Sequence, residues 1–313
     1  MNNIDRLHGA ALESGPVCVG LDTAADYLPE AARSGFRSPA EAVLAYNKAL
    51  VDATADAAAC YKVQVAYYEA LGLAGMEAYS GTLAYIRGRG RLVIADVKRG
   101  DIADTAARYA AAHFSGDFEA DFVTLNPYMG MDSLEPWLEA AEKAGKGAFV
   151  LMRTSNPGMR DFEYLELRSG GRLYDAVGRA LSALALRHSG VFGYGVFGAV
   201  AGCTEKDEAA ALRSDYRKLF FLIPGYGAQG GGAAGAALLL NPDGSGGVVN
   251  ASRSVLCAWK KTRPLCATLE EAAAAAREEV LSMRRALAGA LARTPSVVPP
   301  FAKTVFSTGS LSP

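Results

Sequence analysis

One short stretch of the sequence, residues 91–105, carries the side chains best suited to chemistry. Asp96, Lys98 and Asp101 follow directly on the apolar run 92–95, whose composition is typical of a strand buried on both faces. Charges at the end of such a strand are costly to remove from water unless they pair with each other or with a ligand. The pattern therefore predicts a functional site of two carboxylates and one ammonium group.

The spacing within this stretch indicates which of the charges meet. Successive side chains of a strand point to opposite faces, so Asp96 and Lys98 are expected on the same face. Asp101 lies beyond Gly100, where the chain can turn. The alternative interpretation is a solvated loop whose charges form ordinary surface ion pairs.

Polar residues also accompany the other apolar runs. Asp22 follows the first run, where it could instead cap a helix. Lys62 lies within an apolar strand and needs a partner there. Ser155 and Pro224 follow later runs, so the sequence predicts a collection of polar groups at the ends of the strands.

Two segments late in the chain together predict a phosphate site. Gln229 begins a glycine run, residues 230–232, which would ordinarily be a flexible linker. After a buried strand, glycines also let backbone N–H groups approach an anion closely. Arg253 follows the next apolar run, and its guanidinium group matches the geometry of phosphate.

Apolar strand-like runs alternate with amphipathic segments along most of the chain. The predicted strands are residues 16–22, 61–65, 92–97, 122–126, 147–153, 191–200, 220–227 and 246–253. The helical segments include residues 40–59, 103–113, 133–144, 171–187, 206–217 and 269–292, the last with Thr268 as its N-cap. Eight such units predict an α/β fold, a single-domain (β/α)8 TIM barrel over residues 1–293.

The sequence does not favour a doubly wound α/β sheet, the main alternative to this architecture. A doubly wound sheet would need a glycine-rich dinucleotide loop after its first strand, where this chain has GLDT. Residues 294–313 are rich in Ser, Thr and Pro without periodicity, and we interpret them as a covering strap or a disordered tail.

Composition excludes several classes of function. The 313 residues carry a net charge of −1, so the chain lacks the basic field of a protein that binds nucleic acid or anionic membranes. The five cysteines are scattered without a CxxC pair, and the three histidines are scattered too, which argues against a disulfide framework and a metal site. With neither a signal sequence nor a membrane-spanning run recognised, we expect a cytoplasmic protein.

The motifs resemble those of orotidine 5'-monophosphate decarboxylases, over about residues 10 to 290. Asp96-x-Lys98-x-x-Asp101-Ile102 looks like the signature of that family. The segments VGLDT, YKVQVAYYE, LNPYMGMDSLEPWL, VLMRTSNPG, IPGYGAQGGG and VVNASR resemble, in matching order, its longer bacterial subfamily, type 2. The resemblance implies decarboxylation of orotidine 5'-monophosphate to uridine 5'-monophosphate, the last step of de novo pyrimidine synthesis, without a metal or organic cofactor.

The same resemblance implies roles for individual residues. Those matching the charged catalytic network are Lys62, Asp96, Lys98 and Asp101. Those matching substrate contacts are Asp22 at the ribose, Ser155 at the pyrimidine, Pro224 over the base, and Gln229 with Arg253 at the phosphate. The resemblance also implies a homodimer in which Asp101, Ile102 and Thr105 enter the neighbouring subunit's site.

Two other functions remain open from the sequence. A barrel decarboxylase acting on 3-keto-gulonate 6-phosphate would use the same Asp/Lys/Asp motif with bound Mg²⁺ to stabilise an enediolate. A nucleotide-binding barrel that has lost its chemistry would share the fold, because a fold does not fix a function.

Overall fold

Eight parallel strands close into a barrel in the computed structural model, which describes residues 1–227, 232–265 and 268–293. The strands are β1 (Val17–Gly20), β2 (Cys60–Gln64), β3 (Leu92–Arg99), β4 (Phe122–Leu125), β5 (Gly147–Arg153), β6 (Phe197–Ala201), β7 (Phe221–Ile223) and β8 (Gly247–Ala251). Each strand pairs with the next along the chain, and β8 pairs with β1 through Val17 and Val249. The predicted (β/α)8 TIM barrel is confirmed.

Helices connect the strands around the outside of the barrel. In the described residues they are α1 (Asn3–Ser14), α2 (Glu30–Arg33), α3 (Pro39–Thr54), α4 (Ala66–Glu69), α5 (Gly72–Gly88), α6 (Ala103–Phe114), α7 (Glu135–Ala144), α8 (Met159–Phe162), α9 (Leu173–Arg187), α10 (Lys206–Asp215), α11 (Ala233–Ala237), α12 (Arg253–Leu256), α13 (Trp259–Thr262) and α14 (Leu269–Leu291). None of them is both long enough and apolar enough to cross a membrane.

Alternation along the strands separates two apolar layers. Outward-facing residues such as Val19, Val63 and Val93 pack in the layer between strands and helices. Residues of the opposite parity fill the interior of the barrel, among them Cys18, Cys60, Ile94, Phe122 and Phe149. Toward the carboxyl ends of the strands, the inward-facing positions carry polar side chains instead of apolar ones.

Helix α1, which the sequence analysis did not predict, closes the amino-terminal end of the barrel. Asn2 caps it, and the Asp5 carboxylate accepts the Asn2 backbone N–H in return. Ile4 and Leu7 are fully buried against the interior layer. The helix therefore contributes to the core while leaving the opposite end of the barrel open.

The predicted strand 191–200 is wrong over its first half. Strand β6 begins only at Phe197, and residues 189–195 form a turn closed by a bridge between Ser189 and Gly195. The backbone N–H groups of Val191 and Phe192 donate to the Asp5 carboxylate, over 3.1 and 3.2 Å. The Asp5 carboxylate of α1, distant in the sequence, therefore satisfies backbone groups that the apolar pattern assigned to the sheet.

Elsewhere the predicted elements differ mainly at their ends. Strand β5 has its predicted bounds, and α14 begins at Leu269 with Thr268 as its N-cap in a capping box. The tail assigned to residues 294–313 lies outside the described residues. The domain boundary at residue 293 therefore stays a prediction.

Candidate active site

The charged end of β3 forms one hydrogen-bonded network with β1 and β2. Lys62 Nζ lies 2.9 Å from Asp22 Oδ1 and 2.9 Å from Asp96 Oδ2. Lys98 Nζ lies 2.7 Å from the other oxygen of Asp96, as the period-two spacing predicts. The order of contact is therefore Asp22, Lys62, Asp96, Lys98, with formal charges that alternate and cancel.

The network is buried at its centre and open at one end. Lys62 is 5% exposed and Asp96 is 6% exposed, so the interpretation as a solvated surface loop is wrong. The side chain of Lys98, in contrast, is 47% exposed. Asp22 pairs with Lys62, and the helical turn that follows β1 has Ala24 as its N-cap, so Asp22 is not the cap.

Burial and pairing act in opposite directions on the two central groups. Burial alone would lower the pKa of Lys62, but the charges of Asp22 and Asp96 outweigh it and raise that pKa above its usual value. Burial alone would raise the pKa of Asp96, but Lys62 and Lys98 outweigh it and hold that pKa well below its usual range. Both groups are therefore charged at neutral pH.

The backbone at Lys98 is in the left-handed region, with φ of +43°. A residue with a side chain pays about 1–2 kcal/mol for this conformation. The register between β3 and β4 shifts between Ala95 and Arg99, and the Lys98 N–H donates to Thr124 Oγ1 over 2.9 Å. This irregularity directs the lysine at the end of β3 toward the open end of the barrel.

A cavity of about 460 Å³ opens beside the network. It is lined by most of the residues that the sequence analysis singled out: Asp22, Lys62, Asp96, Lys98, Ser155, Pro224 and Arg253. The strand ends therefore bring together residues that are up to 231 positions apart in the chain, from Asp22 to Arg253. Gln229 and the glycines at 230 and 231 lie outside the described residues.

Three of the predicted site residues do not line this cavity. Asp101 accepts a hydrogen bond from the Ile102 N–H over 2.9 Å, within its own loop. Ile102 is 49% exposed, and Thr105 is exposed on the first turn of α6. Within one chain, the structure therefore does not bring Asp101 to Lys98 and Asp96.

The sequence analysis missed two polar residues that donate hydrogen bonds to Asp96. Gln64 Nε2 donates to Asp96 Oδ2 over 2.9 Å, and Thr124 Oγ1 donates to Asp96 Oδ1 over 2.8 Å. Gln64 lies two residues after Lys62, so period two alone could have placed it on the same face. Asp96 thus accepts hydrogen bonds from two lysines, an amide and a hydroxyl.

A close approach between β1 and β8 shapes the part of the cavity near Arg253. A Cβ at Gly20 would lie 2.0 Å from Ser252 Oγ and 2.9 Å from Asn250 Oδ1. Only a glycine leaves room for those side chains at the end of β8. Asn250 on β8, and Ser252 and Arg253 directly after it, consequently reach the cavity beside β1.

Comparison with known proteins shows the family to which the chain belongs. Residues 15–263 match the model of the orotidine 5'-phosphate decarboxylase / HUMPS family. The chain belongs to this family. The resemblance inferred from the motifs is thereby confirmed, and so is the assignment of the chain to a family of enzymes.

Individual members of the orotidine 5'-phosphate decarboxylase / HUMPS family are similar over nearly the whole chain. The orotidine 5'-phosphate decarboxylase of Clostridium perfringens is 51% identical over 287 residues, which are 92% of this chain and 98% of that protein. Its counterpart from Clostridium novyi is 49% identical over 284 residues, 91% of this chain and 98% of that protein. The solved structure of Leishmania donovani OMP decarboxylase has a TM-score of 0.70 at 33% identity, covering 91% of this chain and 100% of that chain.

Proposed function

We propose that this protein decarboxylates orotidine 5'-monophosphate to uridine 5'-monophosphate, in the synthesis of pyrimidine nucleotides. The observation that carries the proposal is the Lys62–Asp96–Lys98 network at the wall of a cavity in a chain of this family. The relatives that are about half identical over nearly their full length are named for this activity, which supports the same substrate here.

The chemistry requires a cation at the reacting carbon. The bond between C6 of the pyrimidine and the carboxylate breaks, its electron pair stays on C6, and CO2 leaves. That carbanion has no adjacent electron sink, so the barrier in water is very high. A fixed positive charge in a site from which water is excluded stabilises the developing charge.

Lys98 is better placed for this role than Lys62. Lys62 lies between two carboxylates, is almost fully buried, and has a raised pKa, so its proton is held. Lys98 shares one carboxylate and reaches the open cavity. Lys98 therefore stabilises the carbanion and then donates a proton from Nζ to C6, and the resulting amine regains a proton from solvent.

Asp96 has a double function in this scheme. Its charge holds Lys98 in place, and it would lie near the substrate carboxylate when C6 is next to Lys98 Nζ. Two like charges in proximity favour the loss of one of them as neutral CO2. Lys62, Gln64 and Thr124 fix the Asp96 carboxylate, so it cannot turn away from the substrate.

The rest of the cavity wall binds the remaining parts of the nucleotide. Asp22 contacts the ribose, Ser155 contacts the pyrimidine, and Pro224 lies over the base. Arg253, together with Gln229, binds the phosphate. The binding energy of a phosphate remote from C6 can then be used to order the closed site.

A second copy of the chain completes each site as a homodimer. Asp101, Ile102 and Thr105 do not line their own cavity, which fits their donation to a neighbouring subunit. The loops after β3 and β4 lie together, since a Cβ at Gly100 would be 3.2 Å from the Asn126 carbonyl oxygen. These loops also expose large apolar side chains at Ile102, Tyr128 and Met129.

The proposal is tested by following the absorbance of the orotate ring. Protein dialysed against a chelator is given orotidine 5'-monophosphate, beside the Lys98→Ala variant. Rapid loss of absorbance with the wild type and none with the variant is expected. An inactive wild type would overturn the proposal and direct the search to sugar phosphates with Mg²⁺ restored.

A further inference from the structure

Residues 156–172, between Ser155 and α9, have no assigned role, and this excursion folds back on the end of β5. The Tyr174 N–H donates to the Glu163 carbonyl oxygen over 3.0 Å, and the Leu173 N–H donates to the Leu165 carbonyl oxygen over 3.0 Å. A bridge between Glu166 and Arg172 closes the segment on itself. This excursion is therefore tied to the first turn of α9.

The fold-back brings the Glu163 carboxylate onto Thr154. Glu163 Oε2 accepts the Thr154 backbone N–H over 2.8 Å, and Oε1 lies 2.7 Å from the Thr154 hydroxyl. Thr154 immediately precedes Ser155, and both line the cavity. Hydrogen bonds to an ionised carboxylate are about twice as strong as neutral ones, so this contact fixes the backbone just before Ser155.

The end of β6 closes on Ser155 from the other side. The Gly202 N–H donates to the Arg153 carbonyl oxygen over 2.8 Å. A Cβ at Gly202 would lie 2.8 Å from the Thr154 carbonyl oxygen and 2.9 Å from both Cα and Cβ of Ser155. Ser155 therefore packs against Gly202, where a residue with a side chain would not fit. Glu163 holds Thr154, the residue that precedes Ser155.

A second group of contacts keeps the excursion itself in place. Glu208 of α10 accepts hydrogen bonds from the Tyr164 hydroxyl over 2.5 Å and from Arg172 Nη1 over 2.7 Å. The fully buried Arg153 has Nη1 3.7 Å from the same carboxylate. Tyr164 follows Glu163 directly, so anchoring the tyrosine to α10 also anchors the glutamate.

We propose that Glu163 is a positioning residue that sets how tightly the site recognises the pyrimidine ring, acting through Thr154 on Ser155. The inference rests on the proposed function, in which Ser155 contacts that ring. Glu163 is not itself among the residues that line the cavity, so its effect is indirect. Displacing a contact group slightly from its productive geometry weakens binding in proportion to the contacts that it makes.

The test compares Glu163→Ala and Glu163→Gln with Glu166→Ala, an exposed position in the same excursion. The assays are kcat and KM for orotidine 5'-monophosphate, and the dissociation constants of uridine 5'-monophosphate and of ribose 5-phosphate, which lacks the ring. Glu163→Ala should raise KM and the dissociation constant of the nucleotide about tenfold, because one charged hydrogen-bonding group is lost. Binding of ribose 5-phosphate should change less than about twofold, since a group acting only on the ring leaves the phosphate contacts intact.

The conservative variant separates positioning from general damage. Glutamine can still accept the Thr154 N–H and can donate to its hydroxyl, so Glu163→Gln should recover most of the nucleotide affinity. Glu166→Ala should behave as wild type. Thr154→Val, which removes the hydroxyl but keeps the N–H, should give an intermediate loss at an unchanged melting temperature.

Two results would overturn the inference while the proposed function stands. One is an active wild type whose nucleotide affinity is unchanged by Glu163→Ala. The other is an equal loss of affinity for both ligands, which would indicate loosening of the whole cavity. A wild type that neither binds uridine 5'-monophosphate nor turns over the substrate would instead overturn the proposed function, and the role of Glu163 in ring recognition with it.

Discussion

The hydroxyl of Thr124 donates a hydrogen bond to the Asp96 carboxylate over 2.8 Å. The same oxygen accepts the Lys98 backbone N–H over 2.9 Å. One buried hydroxyl therefore connects the carboxylate of the site to the strained backbone of the lysine that we propose as the proton donor. Thr124 itself is 1% exposed, so no solvent molecule can easily take its place.

Replacing Thr124 by Val should reduce kcat far more than it changes KM. The variant keeps the shape of the side chain but leaves the partly buried Lys98 N–H without this acceptor and removes one donor from Asp96, at a cost of about 1–3 kcal/mol. We expect kcat to fall about 100-fold, the size of effect that small misplacement of a reacting group can cause. Steady-state kinetics of Thr124→Val and Thr124→Ser measure this, and the serine variant should keep most of the rate. Equal losses in both variants would contradict the role of the hydroxyl.

Replacing Lys62 by Met should destabilise the fold and abolish turnover. Lys62 separates two carboxylates inside the barrel, and removing one partner of a buried ionic network typically costs about 3–5 kcal/mol. The matched control is Arg263→Met, which breaks the exposed pair with Glu278 and should cost less than about 1 kcal/mol. Urea denaturation at pH 7.5 measures both changes. A Lys62→Met protein as stable as the control would contradict the stabilising role of Lys62 between the two carboxylates.

The charged centre of the site could be predicted because its residues are close together in the sequence. Asp96 and Lys98 follow an apolar run directly, and charges there have few structural explanations. Thr124 gave no such signal, because threonine is an ordinary residue in a strand. Its importance depends on the pairing of β3 with β4 and on the register shift between Ala95 and Arg99, which neither segment reveals alone.

Features held by distant or irregular contacts were missed for similar reasons. Glu163 lies in a segment without periodicity, and its contact with Thr154 arises from a fold-back across nine residues. The strand predicted from residue 191 failed because Asp5, 186 positions away, binds the Val191 N–H. In contrast, the barrel itself was predictable, since alternating strands and helices leave few other architectures.

Acid should destabilise this protein in part through His113. Burial and, to a smaller extent, the nearby charge of Arg99 together lower the pKa of His113 from its usual value of 6.5 to about 4. As the pH falls from 6.5 toward 4, the unfolded chain binds a proton at this position while the folded protein does not. The free energy of unfolding therefore falls over that range. The contribution reaches about 2–3 kcal/mol by pH 4.5.

Replacing His113 by Phe should remove this part of the acid sensitivity. The ring would remain packed beside Phe118 and Trp137, and His113 Nδ1 has no hydrogen-bond partner to lose. Urea denaturation of both proteins at pH 7.5 and pH 4.5 gives the comparison. The loss of stability between the two pH values should be about 2–3 kcal/mol smaller in the variant. Identical losses would mean that His113 accepts its proton without penalty in the folded state.

Mixing two inactive variants should restore activity if Asp101 acts across a dimer interface. Lys98→Ala removes the proton donor, and Asp101→Ala removes the residue that does not line its own cavity. In a mixed dimer, one site would carry both defects, and the other would have an intact Lys98 and a partner with an intact Asp101.

With random exchange of subunits in an equal mixture, half of the dimers are mixed, and each contains one intact site among two. We therefore expect activity to rise to about one quarter of the wild-type value, measured after unfolding and refolding the variants together and compared with the same variants refolded apart. The mixture could instead be no more active than its components, at concentrations where sedimentation detects dimers. Asp101 would then act within its own chain. It would have to move when substrate binds, because in this structure it does not line the cavity and its carboxylate accepts the Ile102 N–H.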